Sequence, residues 1–387
     1  MQLSYLLSLV SLVAAVPTKR AEPAPLIAAK DASAIVPGRY IVKLKDEVGA
    51  SAFDDAVKSA TGPVHHVYED VIKGFATSVD EAGLKELQNH ADVEYIEHDQ
   101  VVSASAKLHQ ANAPWGLARI SHRDPGSSEY IYDGSAAAGT CAYVLDSGVD
   151  AGHPEFQGRA SQLVSFVAGS NKDDNGHGTH VAGTIGSRTY GVAKAIKILG
   201  VKVLAANGQG QWSSILAGLE YVAKDSPGRG CPKGVVVNMS LGGPRSQTVN
   251  TAAASLVRKG YFIAAAAGND NIDAGGVSPA SEPSVCTVGG TARDDSRYDR
   301  SNWGPFVDIH GPAVDVQSTL PGGRSGFLTG TSMATPHITG LAAYLSALTG
   351  QRPGPWACKY IQGLATSKKI RGLTVNTVNL LAFNGAT

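Results

Sequence analysis

The chain has 387 residues, and its 33 basic side chains (Lys and Arg) balance its 33 acidic ones (Asp and Glu), so the formal net charge is zero. Nucleic acids and anionic membranes attract clustered positive charge, so this balance argues against either as the main partner. Hydrophobic residues make up 43% of the chain and charged residues 17%, which is typical of a globular protein long enough for two domains.

The chain begins with a short apolar run, residues 1–17, that ends in small residues. This pattern predicts a secretory signal peptide over residues 1–15, removed by cleavage after Ala15. The alternative interpretation is a membrane anchor, but the run is too short to span a bilayer comfortably, and no later segment is long and apolar enough to do so. We therefore expect a secreted, extracellular protein.

Residues 16–34 are rich in Ala and Pro without periodicity, which predicts a flexible leader. Residues 38–103 alternate between strand-like and helix-like patterns, which predicts a small α+β unit with a ferredoxin-like βαββαβ plan. The small residues within 103–109 predict an exposed linker. The predicted elements are strands over 40–44, 74–79 and 93–97 and helices over 50–60 and 81–90.

From residue 111 onward, apolar runs rich in β-formers alternate with Ala- and Gly-rich stretches of helical character. Several runs are apolar throughout, as expected for strands buried on both faces of a parallel sheet. We predict an α/β domain with a mostly parallel central sheet, in which functional side chains gather beyond the carboxyl ends of the strands. The predicted strands are 141–145, 196–204, 234–239, 261–266 and 285–288, and the predicted helices are 212–224, 248–259 and 335–347.

Three polar residues occupy positions in this pattern that suit catalysis. Asp146 ends an apolar strand, and His177 lies between two glycines before a predicted helix over 179–186. Ser332 lies at or near the start of another predicted helix, with Pro336 in the first turn, where proline is tolerated. A serine becomes a good nucleophile when an imidazole takes its proton and a buried carboxylate orients that imidazole. The order Asp, His, Ser therefore predicts a catalytic triad.

Each of these residues also has an ordinary interpretation. Asp146 could form a turn, His177 could be a surface or core imidazole, and Ser332 could be a helix N-cap. His177 and His180 could instead be paired metal ligands, but the acidic residue of the zinc protease motif is missing at this spacing.

Asn269 follows a further apolar run that ends at Gly268. Its amide, together with the N–H of Ser332, predicts an oxyanion hole, because helix N-termini present free N–H groups and positive potential. The alternative is an asparagine in a turn. Four such residues in separate loops of one α/β domain favour the catalytic interpretation over four separate ordinary ones.

The chain has four cysteines, all after the predicted signal peptide. An even number of cysteines in a secreted chain predicts disulfides, and four cysteines allow three connectivities. A zinc site is the alternative, but no two of these cysteines are close in sequence. They are Cys141, Cys231, Cys286 and Cys358.

Three segments, 144–148, 177–183 and 330–337, resemble the signatures of the subtilisin-like serine proteases, and within them the proteinase K-like secreted fungal branch. The similarity runs almost unbroken from residue 112 to residue 382. It implies that Asp146 orients the base and that His177 is the general base and then the acid. It also implies that Ser332 attacks the peptide carbonyl to form an acyl-enzyme.

The same resemblance implies that Asn269 lines the oxyanion hole.

The early unit resembles the family's inhibitory propeptide through segments 37–44 and 93–99. This implies a propeptide over residues 16–107 that assists folding, blocks the cleft and is then cut off by the protease itself within residues 105–109. The mature chain is expected to start near Leu108 and to be a monomeric peptidase domain over 108–387. Its partners would be protein substrates and its own propeptide.

The resemblance also implies how the cysteines pair: Cys141 with Cys231, and Cys286 with Cys358. Val181 stands where this branch often has a free cysteine next to the catalytic histidine. We therefore expect no dependence on a free thiol.

A structural calcium site is implied by the same resemblance. Its ligands would be the backbone carbonyls of Pro283 and Val285 and the carboxylate of Asp308, and oxygen ligands of this kind suit Ca²⁺. A second, weaker family site would fall near Arg123 and Lys369, where basic residues stand in place of oxygen ligands. One calcium site is therefore expected.

Substrate recognition in the family uses two extended segments that flank the peptide as strands, and they match residues 208–212 and 240–243. Trp212 is expected to border the pocket for the residue four before the cut, unless it is a core aromatic at a helix start. The primary pocket would be lined by Leu241, Gly242 and residues 265–268, which are uncharged and imply a preference for apolar or aromatic residues. The expected substrate-binding residues are Gly208, Gly210, Trp212, Ser240, Leu241 and Gly242.

Asn238 begins an Asn-Met-Ser sequon, which is an acceptor sequence for N-glycosylation. The same run also predicts a buried strand beside the cleft. The sequon and the strand pattern thus give opposite expectations for Asn238.

Two other functions fit parts of this sequence. One is a catalytically inactive homologue that only binds peptides. All four catalytic positions are intact, which argues against this alternative. The other is an enzyme that uses the same triad on small esters. A comparison of peptide and ester turnover separates the second from an endopeptidase.

Overall fold

The computed structural model describes residues 22–29, 35–100, 107–134 and 137–386. The chain divides into two units between residues 104 and 105. The predicted signal peptide and residues 103–106 of the predicted linker lie outside the described residues. Within the described ranges, every helix is too short or too polar to cross a membrane.

The first unit contains a five-stranded sheet and two helices. After a short leading strand, the strands and helices follow one another in the predicted βαββαβ order. The strands lie in the order β1-β5-β2-β4-β3, with β1 parallel to β5 and the other pairs antiparallel. Leaving out β1, this is the strand order of a ferredoxin-like fold. The elements are β1 (Leu26–Ile27), β2 (Ile35–Leu44), α1 (Ala50–Lys58), β3 (Val64–Tyr68), β4 (Gly74–Ser78), α2 (Glu81–Gln88) and β5 (Val93–Gln100).

Two strands of this unit have no clear signature in the sequence. In β3 three consecutive residues are exposed, so the apolar alternation that marks a half-buried strand is missing. β1 lies inside the segment predicted to be a flexible leader, and that prediction is wrong for residues 24–27. Ala24 is buried in the core of the unit, and Leu26 pairs with Ile96 of β5.

The second unit is built on a sheet of nine strands among the described residues, in the order β19-β20-β16-β15-β13-β11-β8-β10-β9. All neighbours are parallel except β19 and β20, which confirms the predicted α/β class. The strands of this sheet are β8 (Cys141–Asp146), β9 (Ala160–Ser165), β10 (Lys197–Lys202), β11 (Val235–Met239), β13 (Phe262–Ala266), β15 (Cys286–Thr291), β16 (Ile309–Pro312), β19 (Thr366–Ser367) and β20 (Leu380–Leu381).

Helices and three small antiparallel pairs surround this sheet. The pairs are β6 (Lys107–Gln110) with β7 (Tyr130–Asp133), β12 (Gly243–Pro244) with β14 (Val277–Ser278), and β17 (Val316–Leu320) with β18 (Arg324–Leu328). The helices are α3 (Trp115–Ile120), α4 (His177–Gly186), α5 (Trp212–Asp225), α6 (Gln247–Arg258), α7 (Thr331–Thr349) and α8 (Trp356–Leu364).

The central strands are apolar throughout because both faces of the sheet are covered. In β8, Ala142 and Val144 belong to one core, which includes apolar residues of α4 and α7. The alternate residues Tyr143 and Leu145 belong to a second core, with residues of α5 and α6. This is the two-residue period of a strand, with an apolar environment on each side.

Three neighbouring parallel strands bring polar residues to one edge of the sheet. β8 ends at Asp146, Ser240 directly follows the end of β11, and Asn269 comes three residues after the end of β13. The order β13-β11-β8 makes these strands neighbours. Because the carboxyl ends of parallel strands lie at the same edge, the fold gathers these residues there.

The last part of the predicted linker is a strand. Residues 107–110 form β6, which pairs with β7, so that Leu108 lies opposite Tyr132. Gln110 also donates from Nε2 to the carbonyl of Thr189, at 2.9 Å. The residues of β6 find their hydrogen-bond partners in β7, a strand about 20 residues later. The local sequence of the linker therefore does not indicate a strand.

Both disulfides implied by the resemblance are present. Cys141 at the start of β8 bonds Cys231, and Cys286 at the start of β15 bonds Cys358 in α8. They join positions 90 and 72 residues apart. In the chain-entropy model, loops of this length stabilise the fold by about 4–5 kcal/mol each.

Candidate active site

Asp146 and His177 form a hydrogen-bonded pair at the carboxyl edge of the sheet. Oδ1 of Asp146 accepts from Nδ1 of His177 at 2.7 Å and from the backbone N–H of Ser147 at 2.7 Å. The Asp146 side chain is fully buried, whereas a quarter of the His177 side chain (25%) is exposed. Because Nδ1 carries the proton that Asp146 accepts, the neutral ring keeps its lone pair on Nε2.

A glycine permits the close approach of α4 to β8. A Cβ at Gly178 would lie 2.1 Å from the carbonyl oxygen of Gly148 and 3.1 Å from Cβ of Asp146. Any larger residue would therefore push the first turn of α4, which begins at His177, away from Asp146. The glycine beside the histidine is thus explained by packing.

Asp173 is a second buried carboxylate next to this pair, and sequence reasoning did not identify it. Its two oxygens accept five hydrogen bonds, which include those from Ser147 Oγ at 2.8 Å and from the N–H of Thr179 at 2.8 Å. Ser147 Oγ in turn accepts from the N–H of Gly178 at 2.9 Å. Asp173 therefore ties the residue after Asp146 to the first turn of α4.

Opposing effects set the pKa of His177. Burial lowers it, but the charge and the hydrogen bond of Asp146, with a further contribution from the charge of Asp173, outweigh burial and raise the pKa above its usual value. Raising the pKa of a general base moves the acid limb of the activity profile to higher pH, because only the neutral ring accepts a proton.

We expect Asp173→Asn to shift the acid limb of kcat/KM to lower pH, because the substitution removes a negative charge that favours the imidazolium. The Asn side chain keeps one oxygen as an acceptor, so part of the local network survives. Asp299→Asn, an exposed carboxylate elsewhere on this unit, is the matched control. The pH profile of kcat/KM checks the prediction, and an acid limb that stays in place or moves upward contradicts it.

Ser332 is the second residue of α7 and lies in the same cleft as His177. Its Oγ donates to the carbonyl of Ser240 at 3.1 Å. Beside it, Oδ1 of Asn269 accepts from the N–H of Thr331 at 2.8 Å and from Thr331 Oγ1 at 3.0 Å. These two donors occupy the amide oxygen of Asn269 and leave its Nδ2 free to donate.

The predicted position of Pro336 is wrong by one turn. α7 begins at Thr331, so Pro336 is its sixth residue and lies in the second turn. A proline at this position has no N–H for the carbonyl four residues earlier, which is that of Ser332.

The cleft that contains His177 and Ser332 has a volume of about 710 Å³. All six expected substrate-binding residues line it. Sequence reasoning missed four further lining residues that lie outside the two expected segments, and no local pattern marks them. They are Asn175, Leu204, Ile215 and Pro244.

A second cavity of about 460 Å³ adjoins Ser332 and Asn269. Four of the residues predicted to line the primary pocket, Leu241, Gly242, Ala266 and Gly268, line this cavity. Ala265 and Ala267, from the same predicted run, belong to hydrophobic clusters of the core instead, because successive residues of an extended chain face opposite sides. The exposed Asp270 also lines this cavity and was not predicted.

Comparison with known proteins identifies the family of this chain. The model of the subtilase family matches residues 138–386, which is more than half of the chain. The chain belongs to the subtilase family. A second model, that of the peptidase inhibitor I9, matches residues 39–105. The predicted membership is confirmed, and the protein is a serine endopeptidase with an inhibitor-type domain before the catalytic one.

Relatives of this subtilase match it from end to end. It is 53% identical over 389 residues to the cuticle-degrading protease of Metarhizium anisopliae, and the match covers 100% of both chains. It is 51% identical to proteinase R of Parengyodontium album, over 99% of each chain. Among solved structures, a cold adapted subtilisin-like serine proteinase matches with a TM-score of 0.67 and 40% identity, covering 72% of this chain and 100% of that chain.

The environment of Asp308 in this subtilase suits a hard cation. One of its oxygens, Oδ2, accepts from the N–H of Thr287 at 2.8 Å. Thr287 is two residues after Val285 in the sequence. Burial raises the pKa of Asp308 to about 6, against the opposing effects of that hydrogen bond and of Lys359. A partly buried carboxylate is an oxygen ligand of the kind that Ca²⁺ takes.

Basic residues occupy the place of the second family calcium site. Nζ of Lys369 lies 2.7 Å from Oδ1 of Asp124. Arg123 packs over the ring of Phe383 at 4.2 Å. An ammonium group paired with the local carboxylate competes with a cation there.

The sequon at Asn238 lies in the protein interior. The Asn238 side chain is fully buried, and its Nδ2 donates to Ser240 Oγ at 2.9 Å. A glycan is attached through this nitrogen and needs open space, so the folded domain is incompatible with glycosylation at Asn238. The expectation raised by the sequon is therefore wrong, and the strand pattern was the better guide.

Proposed function

We propose that this subtilase is a secreted endopeptidase that hydrolyses protein substrates through Asp146, His177 and Ser332. The observation that carries the proposal is the 2.7 Å hydrogen bond from His177 Nδ1 to the fully buried Asp146, beside the cleft that Ser332 lines. The bond gives the imidazole a fixed tautomer and orientation. A general base next to a serine at a helix N-terminus suits acyl transfer.

In the first step Ser332 Oγ bonds to the peptide carbonyl carbon while its proton passes to Nε2 of His177. The carbonyl π electrons move to oxygen, and the imidazolium formed is stabilised by the charge of Asp146. His177 then gives this proton to the departing amine as the C–N bond breaks, which leaves an acyl-enzyme. Water repeats the sequence and releases Ser332.

In the resting state the hydroxyl of Ser332 donates to the carbonyl of Ser240. Attack therefore requires the hydroxyl hydrogen to turn toward His177. A substrate that pairs with residues 240–243 as a strand brings its own N–H groups to the backbone carbonyls of that segment. Substrate binding thus competes for the Ser240 carbonyl and favours the reactive orientation of the hydroxyl.

Two donors stabilise the negative oxygen that develops during attack: the N–H of Ser332 and Nδ2 of Asn269. The first lies at the start of a 19-residue helix, where the helix dipole favours negative charge. The second is available because Thr331 occupies the amide oxygen of Asn269. Donors fixed before the reaction stabilise the transition state without a reorganisation cost.

We expect Asn269→Ala to lower kcat by about 10²–10³-fold with little change in KM, the size of effect known for the corresponding donor of subtilisin. Asn269→Asp keeps an oxygen for Thr331 but loses the amide donor, so it should lose at least as much kcat. Steady-state kinetics on a peptide substrate checks both variants. Near-normal kcat in Asn269→Asp would show that Asn269 acts only by anchoring Thr331.

The substrate lies in an extended conformation between residues 208–212 and 240–243. Both segments line the main cleft, in which Trp212 packs against Gly243, where an added Cβ would lie 2.9 Å from the indole. The second cavity, with Leu241 and Ala266 in its wall, takes the side chain before the cut. Its mostly apolar lining supports a broad preference for apolar or aromatic residues.

The protein is made as a zymogen and exported. The inhibitor-type domain over residues 39–105 supports inhibition by the chain's own propeptide, and the apolar residues 1–17 support export. Cleavage within residues 105–109 gives the mature enzyme. N-terminal sequencing of the secreted protein tests this, since an uncut chain in active preparations would contradict self-processing.

Calcium binds at the Pro283 and Val285 carbonyls and the Asp308 carboxylate. The ion would stabilise the folded state by mass action, by about 2.7 kcal/mol at 100 times its Kd. We expect chelation by EDTA to lower Tm, and Asp308→Asn to lower Tm in calcium and abolish the effect of EDTA. Differential scanning calorimetry checks this, with Asp299→Asn as the control. A Tm that still depends on calcium in Asp308→Asn would show that the calcium site lies elsewhere.

Hydrolysis of casein, compared with hydrolysis of a matched peptide and ester panel, tests the proposed reaction. We expect cleavage within the casein chain and efficient turnover of peptides with an aromatic or large apolar residue before the cut. Peptide turnover far weaker than ester turnover would indicate that the same triad serves an enzyme that acts on small esters. No cleavage of casein by fully processed protein would favour the inactive homologue.

A further inference from the structure

The proline inside α7 leaves the carbonyl of the proposed nucleophile without its helical partner. In a regular helix the Ser332 carbonyl would accept from the N–H of residue 336, and Pro336 has none. Burial of an unpaired carbonyl is costly, by roughly 1–3 kcal/mol. A donor from outside the helix is therefore needed at this point.

Ser240 supplies that donor. Its Oγ donates to the Ser332 carbonyl at 2.8 Å, and the Ser240 side chain is almost fully buried. The contact is reciprocal, since Ser332 Oγ donates to the Ser240 carbonyl at 3.1 Å. Ser240 thus holds the nucleophile at both its backbone and its side chain.

Two further buried side chains fix the direction of the Ser240 hydroxyl. Nδ2 of Asn238 donates to Ser240 Oγ at 2.9 Å, so this oxygen is the acceptor on that side and its own proton is directed to Ser332. Oδ1 of Asn238 accepts from Thr339 Oγ1 at 2.8 Å, which fixes the orientation of the amide. Asn238 and Thr339 are both fully buried.

These four residues connect β11, the segment beside the substrate and α7, whose relative positions matter for catalysis. Asn238 belongs to β11, and Ser240 begins the segment beside the substrate. On α7, Ser332 lies about one turn before Pro336 and Thr339 about one turn after it. Polar side chains buried in an apolar core are costly unless every one is satisfied. Their arrangement as one chain that ends on the Ser332 carbonyl points to a role in the site.

Given the proposed function of Ser332, we propose that Ser240 is a positioning residue whose hydroxyl replaces the N–H that Pro336 lacks, with Asn238 and Thr339 orienting that hydroxyl. The carbonyl of Ser332 fixes the turn of α7 from which both its Oγ and its N–H project. Without the Ser240 hydroxyl this turn relaxes, and a misplacement of about 1 Å at a reacting group costs on the order of 10²-fold in rate.

The proposal predicts a compensation that an ordinary core role does not. Ser240→Ala lowers kcat by roughly 10- to 100-fold and leaves KM within about twofold, because its side chain faces the chain of buried residues and its backbone still faces the substrate. Pro336→Ala provides an N–H for the Ser332 carbonyl inside the helix. In that background the Ser240 hydroxyl is redundant, so adding Ser240→Ala changes kcat by less than about twofold.

The experiment is a double-mutant cycle of Ser240→Ala and Pro336→Ala in the processed enzyme, with kcat and KM on a peptide substrate and Tm for each variant. Strong non-additivity in kcat supports the proposal. Additive losses overturn it, because the hydroxyl would then act independently of the missing N–H. Wild-type protein that fails to cleave peptides would defeat the proposed function, which is a separate outcome.

A second cycle covers the case in which Ser240→Ala does not fold. Thr339→Val has nearly the same shape and removes only the hydroxyl that orients Asn238. We expect a smaller kcat loss of about 3- to 10-fold, which disappears in the Pro336→Ala background. Ser240→Thr, which keeps a hydroxyl, should retain more kcat than Ser240→Ala. An equal effect of Thr339→Val in both backgrounds overturns the proposal.

Discussion

Ser332→Ala is expected to lower kcat by about 10⁶-fold while the protein stays folded, a loss of the size known for the serine of subtilisin itself. The substitution removes the atom that forms the acyl-enzyme but keeps the Ser332 N–H as an oxyanion donor. The residual rate reflects binding and the oxyanion hole. Hydrolysis of a peptide substrate under single-turnover and steady-state conditions measures the loss.

The control for this variant is Ser367→Ala, an exposed serine in β19 at the far edge of the sheet. It should leave kcat unchanged. Equal activity of Ser332→Ala and the wild type would defeat the assignment of the nucleophile. The variant should also accumulate as uncut precursor when expressed alone, since the proposed self-processing uses the same serine.

Asp146→Asn is expected to lower kcat by about 10⁴-fold, the magnitude known for this carboxylate in serine proteases. The Asn side chain has nearly the same shape, but it is neutral and cannot stabilise the imidazolium that forms during attack. It can also turn its amide nitrogen toward His177 and favour the wrong tautomer. The loss is large because Asp146 is fully buried and solvent cannot replace its charge.

The pH profile of the residual activity adds a second readout. The charge and hydrogen bond of Asp146 raise the pKa of His177, so their loss should lower that pKa and move the acid limb of the profile to lower pH. Asp299→Asn serves again as the exposed control. A kcat within tenfold of the wild type, or an acid limb that moves upward, would contradict the role given to Asp146.

The elements with strong periodic or fully apolar patterns are those that the sequence predicts well. All five strands predicted for the large sheet are present, because a strand buried on both faces must be apolar at every position. β1 and β3 escape prediction for the opposite reason. β1 has only two residues, and β3 is mostly exposed, so neither needs an apolar pattern to pair with its neighbour.

The triad candidates are readable because each lies in a short motif of unusual composition. The residues that hold them in place are not readable in this way. Asp173 satisfies N–H groups of the loop before α4 and of the first turn of α4, and nothing in its neighbours marks it as more than a loop carboxylate. Ser240 meets the Ser332 carbonyl across 92 positions of sequence. The need for that contact arises from Pro336, which only the structure places in the second turn of α7.

The most direct test of the catalytic account is covalent labelling of the processed enzyme with diisopropyl fluorophosphate, followed by peptide mapping. An activated serine attacks the phosphorus and expels fluoride, while its proton passes to the base. We expect a single modification, on Ser332, that parallels the loss of activity and becomes far slower in His177→Ala. Full inactivation with the label on another residue, or retained activity after complete labelling of Ser332, would contradict the account.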